Sequence, residues 1–216
     1  MKKQLRKQRG FTLIELAIVL VIIGLLLGGV LKGRELINSA KVKNMGNDLT
    51  SVASAIYAYQ DKFKALPGDD SGVVNHVSGT LATTNGTAGN GIIQGEWDST
   101  TVTDESALIW QHLRLAGLLQ GPTSTAATNY FPTNADGGRI GVQSINGFTE
   151  ITSMSGSFVV CSNLVLGTFA KQLDIALDDG ETSTGQLRAV VSGTPGAGVA
   201  TSSIANATQY TVCMSF

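Results

Sequence analysis

An apolar run near the amino terminus constrains this chain more than any other feature of its sequence. Residues 11–31 contain one charged side chain, Glu15, and no proline. A helix needs about 20 apolar residues to cross the hydrocarbon core of a bilayer, so this run is long enough to span one. No small-x-small cleavage site follows it, which argues against an ordinary signal peptide. The leader, residues 1–10, holds five basic side chains and no acidic one, and the positive-inside rule therefore predicts a cytoplasmic leader with the part of the chain beyond the apolar run outside.

Residues 10–15 resemble a known processing signal. Gly10 followed by Phe11-Thr12-Leu13-Ile14-Glu15 is similar to the cleavage and methylation signature of type IV pilins and of type II secretion pseudopilins. The resemblance implies that prepilin peptidase, a membrane enzyme, cuts after Gly10 and that the new terminus at Phe11 is N-methylated. It also implies that Glu15 aids assembly by pairing with the terminal amine of a neighbouring subunit.

The charge of Glu15 can be explained in two ways. An ionisable side chain at the centre of a membrane helix costs about 2.5–3.5 kcal/mol on insertion scales, and less near the helix end. If the segment is only an anchor, Glu15 can reach the lipid headgroups. If these segments pack into a filament, the Phe11 amine and the Glu15 carboxylate both lose water, and pairing between subunits makes their burial tolerable. Only the second explanation accounts for Gly10 and Phe11.

The apolar run continues into a second, amphipathic segment. Residues 11–64 contain no proline and are predicted to form one long helix. Beyond residue 31, hydrophobic residues recur at alternating spacings of three and four, which is typical of one buried helix face. We expect this upper stem to pack on a β-sheet; a dimeric coiled coil uses the same spacing and is the alternative. The stripe consists of Val42, Met45, Leu49, Val52, Ile56, Tyr59 and Phe63.

The remainder of the chain is predicted to form one globular head. Pro67 and Gly68 end the stem, and residues 71–103, rich in Gly, Ser, Thr and Asn, indicate a long loop. Thr103 and the acidic residues after it predict a helix that runs to Leu119. A second, short helix is expected at 168–177, and a hairpin is expected around Asn146-Gly147. Segments rich in β-formers predict strands at 158–161, 164–166, 187–191 and 210–214.

The predicted fold class is therefore α+β. A long N-terminal helix, transmembrane in its lower half and amphipathic in its upper half, would pack on a C-terminal antiparallel sheet, the arrangement that the resemblance to pilins implies. The expected parts are a leader peptide (1–10), a transmembrane and polymerisation helix (11–31), an upper stem (32–64) and the head (65–216).

Cys161 and Cys213 both fall in predicted strands and could be neighbours. If the head is exported, it meets an oxidising compartment in which a disulfide can persist. The bond would close a loop of about 50 residues and contribute up to roughly 4 kcal/mol. The resemblance supports this pairing, because many pilins carry a disulfide in the C-terminal part of the head. Two buried free thiols are the alternative.

Charge and motifs argue against nucleic-acid binding and catalysis. From residue 66 onward the chain has 4 basic and 12 acidic side chains, so nucleic acid is not expected as its main partner. The two histidines, His76 and His112, do not stand in a hydrolase motif. No catalytic residue and no enzyme activity are predicted.

Three acidic loops are candidates for calcium binding, namely Asp69-Asp70, Glu96-Trp97-Asp98 and Asp178-Asp179. Calcium takes six to eight oxygen ligands, often from loop carboxylates. None of these loops has the spacing of a known calcium loop, and turns whose carboxylates cap backbone amides are the plainer interpretation. No cofactor is expected, with calcium as the alternative.

The resemblance implies a structural subunit of a type IV pilus-like filament. Its expected partners are further copies of itself, prepilin peptidase and the assembly machinery of the inner membrane. The precursor would lie in the bacterial inner membrane with its head in the periplasm, and the assembled filament would be extracellular. A minor pilin or a type II secretion pseudopilin is the alternative within the family. A membrane-tethered binding or enzymatic domain is the alternative from another class.

Overall fold

The computed structural model describes residues 12–216, so Gly10 and Phe11 lie outside it. The chain divides at Ala40 into two compact units, which are described separately. Helix α1, Leu13–Phe63, contains residues of both. The other elements are the helices α2 (Val73–Val77), α3 (Glu105–Leu115) and α4 (Gly167–Leu177), the strands β1 (Ile140–Ser144), β2 (Phe158–Leu166), β3 (Leu187–Val191) and β4 (Gln209–Ser215), and a 3₁₀ turn, Thr201–Ser203.

The first unit is helical from Leu13 onward, and its residues 16–31 are apolar on all sides. From Thr12 to Ala40 every residue except Gly33 is exposed. Its most apolar 18-residue window has a mean hydropathy of 2.8, and α1 is the one helix of residues 12–216 that is long and apolar enough to cross a membrane by these criteria. A helix that is hydrophobic all round needs a membrane or other helices around it.

From Lys41 onward, within the second unit, the upper stem packs on the head as the sequence predicts. Six of the seven predicted stripe residues are buried, and the seventh, Phe63, packs against the edge of the same core. The head supplies the opposing side chains, among them Trp110 of α3 and Val160 and Val212 of the sheet. The face that a dimeric coiled coil would have used is therefore covered within the chain.

The sheet is antiparallel and four-stranded, in the order β1-β2-β4-β3. Both of its faces are buried. One face meets the upper stem and α3, and the other is covered by a smaller cluster that includes Trp97 and Ile151. Trp97 comes from the segment predicted as a long loop, so this loop is anchored on the sheet. The α+β fold class is confirmed.

Strand β2 joins two segments that were predicted as separate strands. Residues 158–161 and 164–166 both belong to it, and the register with β4 shifts between Ser162 and Val165. Leu164 has a φ of 56° within this irregularity. A bulge of this kind bends a strand without ending it.

The hairpin predicted around Asn146-Gly147 is wrong. β1 ends at Ser144 and pairs with β2, and residues 145–157 connect the two strands. Gly147, with a φ of 89°, lies in a turn. Ile151 makes only an isolated bridge and instead packs on the outer face of the sheet. Burying the Ile151 side chain on the sheet stabilises this segment more than backbone pairing in a hairpin would.

Helix α3 is shorter than predicted, since it ends at Leu115 and not at Leu119. Gly117 has a φ of 75°, and the N–H of Leu118 donates to the carbonyl of Leu113 at 2.9 Å. A left-handed glycine directly after a helix satisfies the last carbonyls and ends it. The stop therefore comes before Gly121-Pro122. Helix α2 is a further difference, because it lies in the segment predicted as loop.

Candidate assembly segment and polar networks of the head

Glu15 forms a capping box with Thr12 at the start of α1. One carboxylate oxygen of Glu15 accepts the Thr12 backbone N–H at 2.7 Å and the Thr12 hydroxyl at 2.8 Å, and the Glu15 N–H donates to that hydroxyl at 3.3 Å. This reciprocal arrangement satisfies amide groups that the beginning of a helix leaves without partners. The charge of Glu15 alone does not predict this role, but the spacing Thr-x-x-Glu signals it.

The Glu15 carboxylate is exposed in the single chain and lies in an apolar surface. Leu16, Ile18 and Val19 beside it are each more than 50 % exposed. Most of the exposed large hydrophobic side chains of residues 12–216 lie between Leu13 and Ile37. Monomeric soluble proteins rarely expose a contiguous apolar surface of this extent. We therefore regard this stretch, residues 12–37, as the candidate assembly segment.

The prokaryotic N-terminal methylation motif matches residues 5–31. The chain carries the prepilin-type signature. This signature indicates the precursor of a type IV pilin-like protein or of a pseudopilin, and it is typical of structural, non-enzymatic proteins. The match does not reach residues 32–216. Comparison of the chain with curated proteins and with solved structures gave no match.

Both residues predicted for processing lie within the matched range but outside the described residues. They are Gly10, the predicted cleavage site, and Phe11, the predicted methylated terminus. Glu15 lies within the matched range and also among the described residues. The motif match thus agrees with the expected order of basic leader, processing point and apolar helix.

A disulfide joins Cys161 and Cys213 in the head. The two residues lie opposite each other on β2 and β4. Both are fully buried and pack with Trp97 on the face of the sheet that does not meet the upper stem. The bond fixes the last strand of the chain to a central strand of the sheet.

Asp69, one of the calcium candidates, uses its carboxylate to hold a loop. It accepts the backbone N–H groups of Gly89, Asn90 and Gly91 at distances between 2.6 and 3.1 Å. The side chain is almost fully buried. This is the amide-capping role that the sequence offered as the plainer interpretation.

Asp70, its neighbour, connects the end of the stem to the turn that follows. Its carboxylate accepts the Tyr59 hydroxyl at 2.7 Å and the Gly72 N–H at 2.8 Å, and lies 2.7 Å from Nδ1 of His76. Burial raises the pKa of Asp70, but the hydrogen bonds from His76, Tyr59 and Gly72 outweigh it and leave the pKa below its ordinary value. Asp70 is thus an ionised structural group.

His112 packs inside the head as a neutral imidazole. Its Nδ1 accepts the Gly68 N–H at 2.9 Å, so its Nε2 carries the proton and donates to the Thr80 carbonyl at 2.8 Å. Burial lowers the pKa of His112. Gly68 has a φ of 93°, and a Cβ there would overlap the carbonyl oxygen of Glu105, so this turn requires glycine. His112 therefore has a packing role inside the head.

Glu105, at the start of α3, is a buried carboxyl that the sequence analysis took for a helix-start residue. Its side chain is 0 % exposed. One oxygen accepts the Gln94 N–H at 2.8 Å, and the other has no donor among the described residues. Burial raises the pKa of Glu105 to about 7, with Asp69 and Asp104 acting in the same direction and the Gln94 amide opposing. The folded head therefore favours the neutral form of this group.

Glu105→Gln is expected to remove a pH dependence from the stability of the head. The ordinary pKa of 4.5 rises to about 7 on folding, so the contribution of Glu105 to stability is greatest below pH 4.5 and is lost as the pH rises through the folded value. Between about pH 5 and pH 8, the wild-type free energy of unfolding should fall by roughly 1–3 kcal/mol relative to the variant. Urea unfolding at several pH values measures this difference.

Glu96→Gln serves as the control, because Glu96 is an exposed acid close by in the sequence. Its pH profile should parallel the wild type. Parallel profiles for wild type and Glu105→Gln would instead show that Glu105 ionises without cost in the folded head.

The second acidic pair, Asp178 and Asp179, lies at the end of α4. The structure brings these residues together with Asp174, and in residues 12–216 this is the group of acidic side chains whose spacing could hold a metal ion. Asp174 was not predicted as a member of this group, because a single acid inside an amphipathic helix gives no signal of its surroundings. Asp69 and Asp70 do not belong to this group.

Proposed function

We propose that this chain is a structural subunit of a type IV pilus-like filament. Prepilin peptidase removes residues 1–10, residues 11–31 anchor the precursor and later polymerise, residues 32–64 form the upper stem, and residues 65–216 form the head. The observation that carries the proposal is the helix that begins at Leu13. It bears the methylation motif and exposes an apolar surface on all sides.

Close packing between copies of this helix would hold the filament together. Lipid already covers apolar side chains before assembly, so association in a membrane depends on how closely the helices approach. Small residues permit this approach, and a Cβ built at each of four glycines of the segment meets no atom within 4 Å. These are Gly24, Gly28, Gly29 and Gly33. Pairing of Glu15 with the Phe11 amine of a neighbouring copy would then set the axial register.

The proposal places the chain in two locations in turn. The precursor lies in the inner membrane, with a cytoplasmic leader and a periplasmic head, and contacts prepilin peptidase and the assembly machinery. The filament, a polymer of this chain, is extracellular. The disulfide in the head suits an oxidising compartment on that side of the membrane.

Intact-mass spectrometry of material sheared from the cell surface, compared with the membrane fraction, tests the proposal. The expected result is a dominant sheared species that begins at methylated Phe11 and is two hydrogens light because of the disulfide. Gly10→Ala is the matched control: its chain should keep the leader, stay in the membrane and be missing from the sheared fraction.

Two other outcomes would each replace the proposal. A processed form confined to the membrane fraction would indicate a minor pilin or a type II secretion pseudopilin. An unprocessed wild-type chain that begins at Met1 would indicate a membrane-tethered binding or enzymatic domain.

A further inference from the structure

Asp174, near the end of α4, is a buried carboxylate without a hydrogen-bond donor. Its side chain is 0 % exposed, and neither of its carboxylate oxygens has a partner among the described residues. Burial raises its pKa to about 6; the Gly180 amide, which does not reach hydrogen-bonding geometry, opposes this shift, and the carboxylates of Asp178, Asp179 and Glu181 add to it. A buried carboxylate must be paired, bound to a metal or neutralised, so the position of Asp174 needs an explanation.

Two further carboxylates converge on Asp174. Asp178 and Asp179 follow directly after α4, and one oxygen from each of the three side chains lies within 4.8 Å of the others. Calcium binds oxygen ligands at about 2.3–2.6 Å, so oxygens at this separation can share one ion. Asp174 is buried, Asp178 is half-buried and Asp179 is exposed. The three carboxylates therefore extend from the solvent-exposed surface to the buried oxygens of Asp174, which have no donor among the described residues.

The chain holds the two outer carboxylates in place. Asp178 accepts the N–H of Leu187, the first residue of β3, at 2.8 Å. Asp179 accepts the Glu181 N–H at 2.8 Å and the Thr184 hydroxyl at 3.0 Å. These two bonds lower the pKa of Asp179, so it is ionised at neutral pH. Each oxygen retains a further lone pair for a cation.

The chemistry of the donor set selects a hard cation. All three side chains offer oxygen, and no cysteine or histidine belongs to the group, which disfavours zinc and copper. Magnesium demands near-ideal octahedral geometry at about 2.0–2.1 Å, whereas calcium accepts irregular sets and completes them with carbonyls and water. Arg188 interacts electrostatically with Asp179, which is the most exposed of the three acids.

We propose that Asp174, Asp178 and Asp179 form a binding site for one calcium ion. The ion pairs with the buried carboxylate and connects the end of α4 to the start of β3 through Asp178 and Leu187. It thereby stabilises the loop 178–186. This inference concerns the head alone and does not depend on the filament.

Calcium titration of the full-length chain in a non-ionic detergent tests the site. Calcium chloride alone is the probe, with magnesium chloride and a chelator as comparisons. Isothermal titration calorimetry should give one calcium site per chain. A roughly hundredfold excess of calcium over Kd should raise the midpoint of thermal unfolding of the head by about 5–10 °C.

Two variants and one control locate the ion. Asp179→Asn changes an exposed residue, and it should weaken calcium binding about tenfold or more. Asp174→Asn should abolish it. Asp98→Asn alters an exposed acid outside the group and should bind as the wild type does.

Either of two results would overturn the proposal. Absence of a calcium response in the wild type at about 10 mM, above the roughly 1 mM of weak extracellular sites, would show that Asp174 is a buried, protonated acid. An equal response in wild type, Asp174→Asn and Asp179→Asn would show that calcium binds elsewhere.

Discussion

Glu15→Gln is expected to remove filaments from the cell surface while the precursor still enters the membrane and is cleaved. Glutamine at the third helical position can keep the capping box with Thr12, so the variant retains the local geometry and loses only the charge. The Phe11 amine would then be buried in the filament without a partner. Removing one member of a buried ion pair costs about 3–5 kcal/mol, so the yield of sheared subunit should fall roughly a hundredfold or more.

Immunoblots of the sheared and membrane fractions measure this yield. Thr12→Val is the matched control, because it removes the hydroxyl of the capping box and leaves the Glu15 carboxylate in place. Its loss of helix stability should be about 1 kcal/mol, and its filaments should remain. Wild-type piliation in Glu15→Gln would refute the pairing role and leave Glu15 as a helix-capping residue.

Replacement of both Cys161 and Cys213 by alanine is expected to lower the free energy of unfolding of the head by about 4 kcal/mol. The sequence separation of the two residues is 52, and the unfolded chain gains the entropy of the opened loop. For a head of this size the midpoint of thermal unfolding should fall by roughly 10 °C. Alanine is preferred to serine because both positions are fully buried in an apolar cluster, where a hydroxyl would have no partner.

The two tryptophans report this unfolding, since Trp97 and Trp110 are only 3 % and 1 % exposed. Their fluorescence is followed on the full-length chain in detergent, with and without a reductant. The reductant should lower the midpoint of the wild type and leave that of the double variant unchanged. Equal midpoints for the oxidised wild type and the double variant would show that pairing between β2 and β4 holds the strands without the bond.

The periodicity of the stem predicted its buried face correctly. Side chains three and four positions apart share one face of a helix, so Met45, Ile56 and Tyr59 could be assigned to a buried stripe without knowledge of what covers them. The same logic did not extend to the strands. The extent of β2 and the pairing of residues 145–157 depend on which neighbouring strand meets them and in what register, and short segments do not encode that choice.

The candidate assembly segment was predictable because its signals are consecutive in the chain. The processing motif, the apolar run and Glu15 fall within a few helical turns, and the motif match covers the same residues. The capping box at Thr12 was readable from the same letters, but the charge of Glu15 drew the interpretation toward contacts between subunits.

The sequence by itself determined the apolar N-terminal segment, the prepilin-type signature, the buried face of the stem and the approximate positions of the strands, because each depends on local pattern and spacing. Only the tertiary structure decided what the carboxylates do. Asp69 accepts hydrogen bonds from three loop amides, and burial raises the pKa of Glu105 to about 7. Asp174 lies beside two other acids, and its buried carboxylate has no donor among the described residues. The charge state of a carboxyl depends on its burial and on the groups that distant segments bring within a few ångströms, and that information exists only once the chain has folded.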